Sequence, residues 1–268
     1  MNIKNNSLLS AELDRIAEVA DFLWQRGWAE ANGGNISVNL THLAGSEILE
    51  MPATASQNLA EEVPGIAGSL FYVTGTGTRM RDVARSPLEH GAIIRITADG
   101  QRYEIISEKA VKPTSELPSH LSIHSFLKVR GNNQSVVLHT HPTELIALTH
   151  CPPFLDWRRL TQMLWSMIPE TRVLVPKGVG IVPYALTGTS AIAKATIQQL
   201  ENHDVVLWEK HGALAVGEDI MRCFDLIDTI TKSAKIYLSA KTAGFEPQGL
   251  TQEQMAELAM AFGLPTEI

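Results

Sequence analysis

Two histidines, His139 and His141, flank Thr140 at the end of the apolar run Val136–His141. Side chains alternate faces along a strand, so both imidazoles project to one side and Thr140 to the other. Two ligands on one face can share a cation. A catalytic zinc site takes three protein ligands, with His nitrogens at about 2.0–2.1 Å, and leaves a position open for water or substrate. His211 is the best candidate for the third ligand. It follows the apolar run Val205–Trp208 in the turn Glu209-Lys210-His211-Gly212, where a strand end beside a glycine can be brought next to another strand end. The chain holds nine histidines, so coincidence also accounts for a His-x-His pair, and spacing leaves both accounts open.

Other residues suit proton and anion chemistry. Glu116 lies in Thr114-Ser115-Glu116, just before a helical stretch. A carboxylate beside a polarised carbonyl moves a proton on the adjacent carbon if burial brings its pKa toward working pH. The simpler account of such a Glu is a first-turn carboxylate stabilised by the helix dipole. Glu170, in Ile168-Pro169-Glu170-Thr171, reads as a surface carboxylate. Asn32-Gly33-Gly34-Asn35, Thr74-Gly75-Thr76-Gly77 and Thr114-Ser115 are three turns whose N–H groups and small polar side chains can converge on a phosphate. Each is also simply a turn. None carries the Gly-Lys-Ser/Thr ending of a P-loop or the three-glycine dinucleotide fingerprint, so ATP and NAD are poor ligands for this chain.

Elements that position these residues follow from periodicity. Leu13, Ile16, Ala17, Ala20, Leu23 and Trp24 recur at helical spacing, with Gly27 placed to end the helix in a left-handed turn. Ile36, Val38 and Leu40 alternate as a strand, and Leu70–Thr74 is another. Ile93–Thr97 and Tyr103–Ile106 form a hairpin turning at Asp99-Gly100. A helix starting near Glu116 tolerates Pro118 in its first turn and carries Leu121 and Phe126 inward. Helices are expected over residues 142–149, 159–167, 189–201 and 220–238. Strands are expected over 172–176, 180–184, 205–208 and 213–216. Thr251 and Gln254 make a capping box that opens the last helix. Residues 41–69 keep no period and read as a long excursion or insertion. The economical reading is one α/β domain over residues 1–268, rich in antiparallel neighbours.

Composition bounds the function. The 268 residues hold 44% hydrophobic and 19% charged residues, which fits a folded core and excludes disorder as the default. The net charge of −7 gives no general attraction for nucleic acid or anionic lipid, although a local basic pocket stays open. The longest charge-free stretch, Gly178–Ala193, is interrupted by Pro183 and glycines and falls short of the roughly 20 apolar residues of a membrane helix. No signal-peptide pattern begins the chain, so cytoplasm is the expected compartment. Cys151 and Cys223 match no metal motif and are expected to be reduced, with Cys223 in the core.

Taken in order, Asn-Gly-Gly-Asn at Asn32, Val-Thr-Gly-Thr-Gly at Val73, Thr-Ser-Glu at Thr114, His-Thr-His at His139 and Lys-His-Gly at Lys210 resemble the class II aldolase/adducin family. The likeness spans Asn32–His211 and the flanking helices. It implies a three-layer α/β/α fold with a mixed, mostly antiparallel central sheet, assembled as a homotetramer with active sites at subunit interfaces. It implies retro-aldol cleavage of a small-molecule sugar phosphate, with one Zn2+ per subunit held by His139, His141 and His211. Glu116 becomes the acid/base that moves the proton of the dihydroxyacetone phosphate carbon. Asn32, Gly34, Asn35, Thr76, Thr114 and Ser115 become the phosphate contacts. Glu170 matches a glutamate that reaches into the neighbouring subunit's site and assists at the aldehyde end.

Other family chemistries stay open from sequence: a fuculose-phosphate aldolase, a ribulose-phosphate 4-epimerase, or a non-catalytic adducin-like interaction module. Many members carry His-His-Gly at the third ligand, whereas Lys210 precedes His211 here, so any role of that preceding histidine is absent. A Schiff-base route is disfavoured, because Lys177 and Lys210 both lie in polar turns and such a lysine needs desolvation.

Overall fold

The computed structural model describes residues 6–265. Among the described residues nine strands form: β1 Asn35–Asn39, β2 Ala55–Asn58, β3 Leu70–Thr74, β4 Gly91–Ile96, β5 Arg102–Ile105, β6 Val136–Thr140, β7 Val179–Val182, β8 Val205–Trp208 and β9 Gly212–Gly217. Contacts divide the chain into two compact units. Of the described residues, one comprises 6–140, 185–194 and 216–223, the other 141–184, 195–215 and 224–265.

In the first unit the strands run in the order β2-β5-β4-β3-β1-β6, and every neighbouring pair is antiparallel. The core here is β-branched and aromatic: Phe71, Val73, Ile94 and Ile96 pack with Leu117 and Leu121. The helix Ser7–Gln25 buries Leu9, Leu13, Ile16, Ala20 and Leu23, and Gly27 turns left-handed at φ +71° just after it. The hairpin β4–β5 turns as its Asp99-Gly100 pair requires, with Gly100 at φ +71°. Residues 41–69 gain order from tertiary contacts. They hold the short helix Ser46–Leu49 and the strand β2 against β5. The Arg95 guanidinium, paired with Glu104 at 2.9 Å, donates to the carbonyls of Leu49 and Met51 and pins this excursion to the sheet.

In the second unit β7 runs parallel to β8, and β8 antiparallel to β9. The α/β class with a mixed, mostly antiparallel sheet is therefore found. One strand expectation fails: residues 172–176 are not a strand, and Pro169–Leu174 is a helix. Pro169 has its φ fixed for a first helical turn and lacks the N–H that turn leaves unpaired. Those local terms outweigh the β-branched Val173 and Val175. The helix Gln252–Phe262 opens with the Thr251/Gln254 capping box. Cys151 and Cys223 are not joined in a disulfide, and Cys223 is buried.

Candidate functional site

Strand β6 carries His139, which is buried, and ends at Thr140. Thr140 faces the other way, as expected, and its hydroxyl donates to the Trp28 carbonyl at 2.8 Å. His139 is the cross-strand partner of Asn35 on β1. Directly opposed residues project to the same face with Cβ atoms about 4.5–5.5 Å apart, so Asn35 and His139 share one face. That pairing brings backbone close to backbone at the strand entrance. A Cβ at Gly34 would stand 2.9 Å from the His139 carbonyl oxygen, and Gly34 sits at φ +76°. Glycine is required there on both counts.

Glu116 lies at the N-cap position of the helix Leu117–Arg130, with Pro118 in its first turn. It is buried, and two of the residues expected to hold phosphate are hydrogen-bonded to it. Asn35 Nδ2 donates to Glu116 Oε2 at 3.1 Å, and the Glu116 N–H donates to the Thr114 hydroxyl at 3.3 Å. Phe126 is only part-buried, because the inward positions of this helix are taken by Leu117, His120, Leu121, Ile123, His124 and Leu127. Sequence reading missed His120, His124 and Ser37, which stand behind Asn35. The available signal was the spacing 116, 120, 124, which places all three side chains on one face of a helix.

The turn after β3 is laced to the segment before Glu116. Thr76 N–H donates to Lys112 O, Thr114 N–H donates to Thr74 O, and Gly75 bridges Pro113. These bonds bring Thr76, Thr114 and Ser115 together and use the backbone donors of Thr76 and Thr114. Side chains of Thr76 and Ser115 remain exposed, as does Asn32. Of the six phosphate candidates, three therefore offer open polar side chains, two are engaged with Glu116, and Gly34 admits a close backbone approach.

In the second unit β8 and β9 are joined by Glu209-Lys210-His211, with Lys210 in the left-handed region at φ +60°. A three-residue hairpin loop needs one such residue. The turn is held on three sides: Lys210 N–H donates to the Thr149 hydroxyl at 2.8 Å, Glu209 N–H to Val182 O, and Tyr184 N–H to the Glu209 carboxylate. The His211 ring stacks on Trp208 at 5.2 Å and lies 5.1 Å from the His141 ring. Lys210 pairs with Glu209 and Lys177 with Asp204, both half-exposed. Neither lysine is the desolvated amine that Schiff-base chemistry needs.

Among the described residues, His139, His141 and His211 form one group in which a ligand nitrogen from each lies within 4.8 Å of the others. Three imidazoles without a fourth cysteine match an open, catalytic donor set better than a closed structural one. The residues fit the metal. Glu170, by contrast, lies exposed in the first turn of Pro169–Leu174.

Comparison with known proteins agrees with this geometry. The family described as Class II Aldolase and Adducin N-terminal domain matches residues 14–238. The rhamnulose-1-phosphate aldolase of Bacteroides thetaiotaomicron is 50% identical over 264 residues, covering 98% of each chain. That of Pectobacterium carotovorum is 35% identical over 252 residues and 92% of each. Among solved structures, a sugar-phosphate aldolase from Thermotoga maritima superposes with a TM-score of 0.80 at 30% identity, over 90% of this chain and 99% of that one. An L-fuculose 1-phosphate aldolase, at TM-score 0.60 and 21% identity over 95% of this chain and 97% of its own, shares the fold. The chain belongs to the class II aldolase and adducin family, as a carbon–carbon lyase.

Proposed function

We propose that the protein cleaves L-rhamnulose 1-phosphate reversibly to dihydroxyacetone phosphate and L-lactaldehyde, working as one domain in the cytoplasm. The observation that supports this reading is the pairing of Asn35 with His139 on adjacent strands, which puts the held carboxylate of Glu116 on the same face as His139. The substrate is that of the relatives matching nearly the whole chain.

Breaking the C3–C4 bond leaves its electron pair on C3, which is tolerable only as an enediolate with neutralised oxygens. One Zn2+ held by His139, His141 and His211 would supply Lewis-acid charge there, a stabilisation of several kcal/mol. Every other step falls to the chain. Glu116 donates a proton to C3 in the cleavage direction and removes it in the reverse direction. The C4 hydroxyl gives up its proton as the aldehyde forms, and Glu170 of a neighbouring subunit in a homotetramer assists there. Asn32, Thr76 and Ser115 hold the phosphate by side-chain donors, while Gly34, Asn35 and Thr114 shape the turns around it. Binding the phosphate turns remote contacts into orientation at C3. Among the described residues no helix is long and apolar enough to cross a membrane, in keeping with a metabolic enzyme.

Metal analysis coupled to cleavage assays with L-rhamnulose 1-phosphate, L-fuculose 1-phosphate and ribulose phosphate tests the reading. About one zinc per chain, preference for the first sugar, loss of cleavage in chelator and return with zinc are expected. Full turnover in excess chelator removes the metal from the reaction, and preference for another sugar reassigns the substrate.

A further inference from the structure

Behind Asn35 runs a file of buried side chains that the reaction itself does not touch. Asn35 Oδ1 faces His120 Nε2 in a short hydrogen bond. His120 Nδ1 is 2.7 Å from Ser37 Oγ, and Ser37 Oγ is 2.8 Å from His124 Nε2. Asn35 and Ser37 project from the same face of β1, and His120 and His124 from one face of the helix Leu117–Arg130, so sheet and helix meet through this file. Burial pushes both imidazoles down to a pKa of about 3, and they are neutral.

Donor and acceptor roles then follow in order. Asn35 Nδ2 donates to Glu116 Oε2, so Oδ1 is the atom turned to His120, and an amide oxygen only accepts. His120 therefore carries its hydrogen on Nε2. Being neutral, it has a bare Nδ1 that accepts from the Ser37 hydroxyl. The serine has one hydrogen, already given to His120, so its oxygen accepts from His124 Nε2–H. With a carboxylate at the end, the file runs one way: His124 to Ser37 to His120 to Asn35 to Glu116. The reverse direction needs the amide turned over and a proton on Glu116 Oε2.

We infer that His120, backed by Ser37 and His124, is a positioning residue that fixes the Asn35 amide and so holds the Glu116 carboxylate in the orientation its proton transfer needs. This rests on the reading of Glu116 as the acid/base. A file kept for stability alone has a different signature. Removing one member leaves its buried partners unpaired, so a purely structural role moves thermal unfolding and leaves turnover per folded protein unchanged. A role in orientation moves turnover, because displacing a reacting group by about 1 Å costs up to about 10²-fold.

The zinc-loaded full chain is the test material. His120→Asn keeps an amide near Ser37 but is too short to donate to Asn35, whereas His120→Gln reaches the position of Nε2. The expected result for His120→Asn is a kcat lower by about 10–100-fold with KM for the sugar phosphate within about threefold, and recovery of most of that loss in His120→Gln. Histidine-labelled NMR of the unaltered protein at neutral pH should show the Nε2–H tautomer at both His120 and His124. Unchanged kcat in His120→Asn, equal losses in both variants, or the Nδ1–H tautomer at His120 overturns the inference. If His120→Asn does not fold, the tautomer decides. Glu116→Gln is run in parallel: wild-type cleavage by that variant shows that the acid/base reading, and with it this inference, has failed, whereas an inactive Glu116→Gln beside a fully active His120→Asn rejects the positioning role alone.

Discussion

Glu116 stands at the N-cap of a helix with proline in its first turn, and Glu170 in the first turn of another such helix, yet the first is buried under Asn35 and the second is exposed. Local chain chemistry treats them alike: a carboxylate near the positive end of a helix dipole, beside a residue that cannot continue a preceding helix. What separates them is the partner that tertiary structure supplies. Asn35, itself gripped by His120, leaves Glu116 little rotational freedom, which is the condition for an efficient proton donor. Among the described residues Glu170 has no such grip, and its proposed chemistry depends on what a second copy of the chain would bring to it.

The comparison can be broken by substitution. Glu116→Gln is expected to lower kcat by about 10²–10⁴-fold, the usual contribution of a general acid/base, with little change in KM. Steady-state cleavage rates read this, and near-native turnover removes Glu116 from the chemistry. Glu170→Ala should cost less, about 10²-fold, at the low end of that range. Mixed oligomers of the two inactive proteins should regain turnover, because some sites then combine an intact Glu116 with an intact Glu170. No recovery on mixing places Glu170 outside the neighbour's site.

Acid titration sharpens the comparison from the stability side. His120 and His124 have folded pKa values of about 3, against about 6.5 in the unfolded chain. The unfolded chain takes up protons that the folded one refuses. Stability present above pH ~6.5 is therefore lost as pH falls toward about 3, by up to about 1.4 kcal/mol per pH unit for each histidine. Urea midpoints measured between about pH 7.5 and 5.5 check this, and His120→Gln should halve the slope. The smallest effect belongs to the phosphate turn: Thr76→Val should raise KM severalfold and leave kcat nearly unchanged, since it removes binding shared by ground and transition states. An equal fall in kcat would give Thr76 a larger part than anchoring.

Much of this was legible in the residue order. Strand β3 and the strand β8 followed from apolar runs bounded by turn residues, and the capping box Thr251/Gln254 opened its helix as expected. Residues 172–176 read as a strand because Val173 and Val175 alternate there, while Pro169, which sets the helix, lies outside that window. The excursion 41–69 was unreadable because its order comes from Arg95 and β5, both far along the chain. The contacts of Asn35 with the Glu116 carboxylate and of Thr114 with the Glu116 N–H are not legible in the residue order, because a turn rich in amide and hydroxyl groups looks the same whatever those groups face.

By itself the sequence determined which residue types stand at strand ends and helix starts: two histidines on one strand face, a glutamate before a proline-started helix, glycines where the backbone turns left-handed. Periodicity and turn chemistry act over a few residues, so they are complete in the local order. Only the tertiary structure decided that Asn35 lies opposite His139, that its amide grips Glu116, and that a file of neutral imidazoles stands behind it. Those are pairings across 81 residues or more, set by strand register and by the demand that every buried polar atom find a partner, a demand that no local stretch of chain can express.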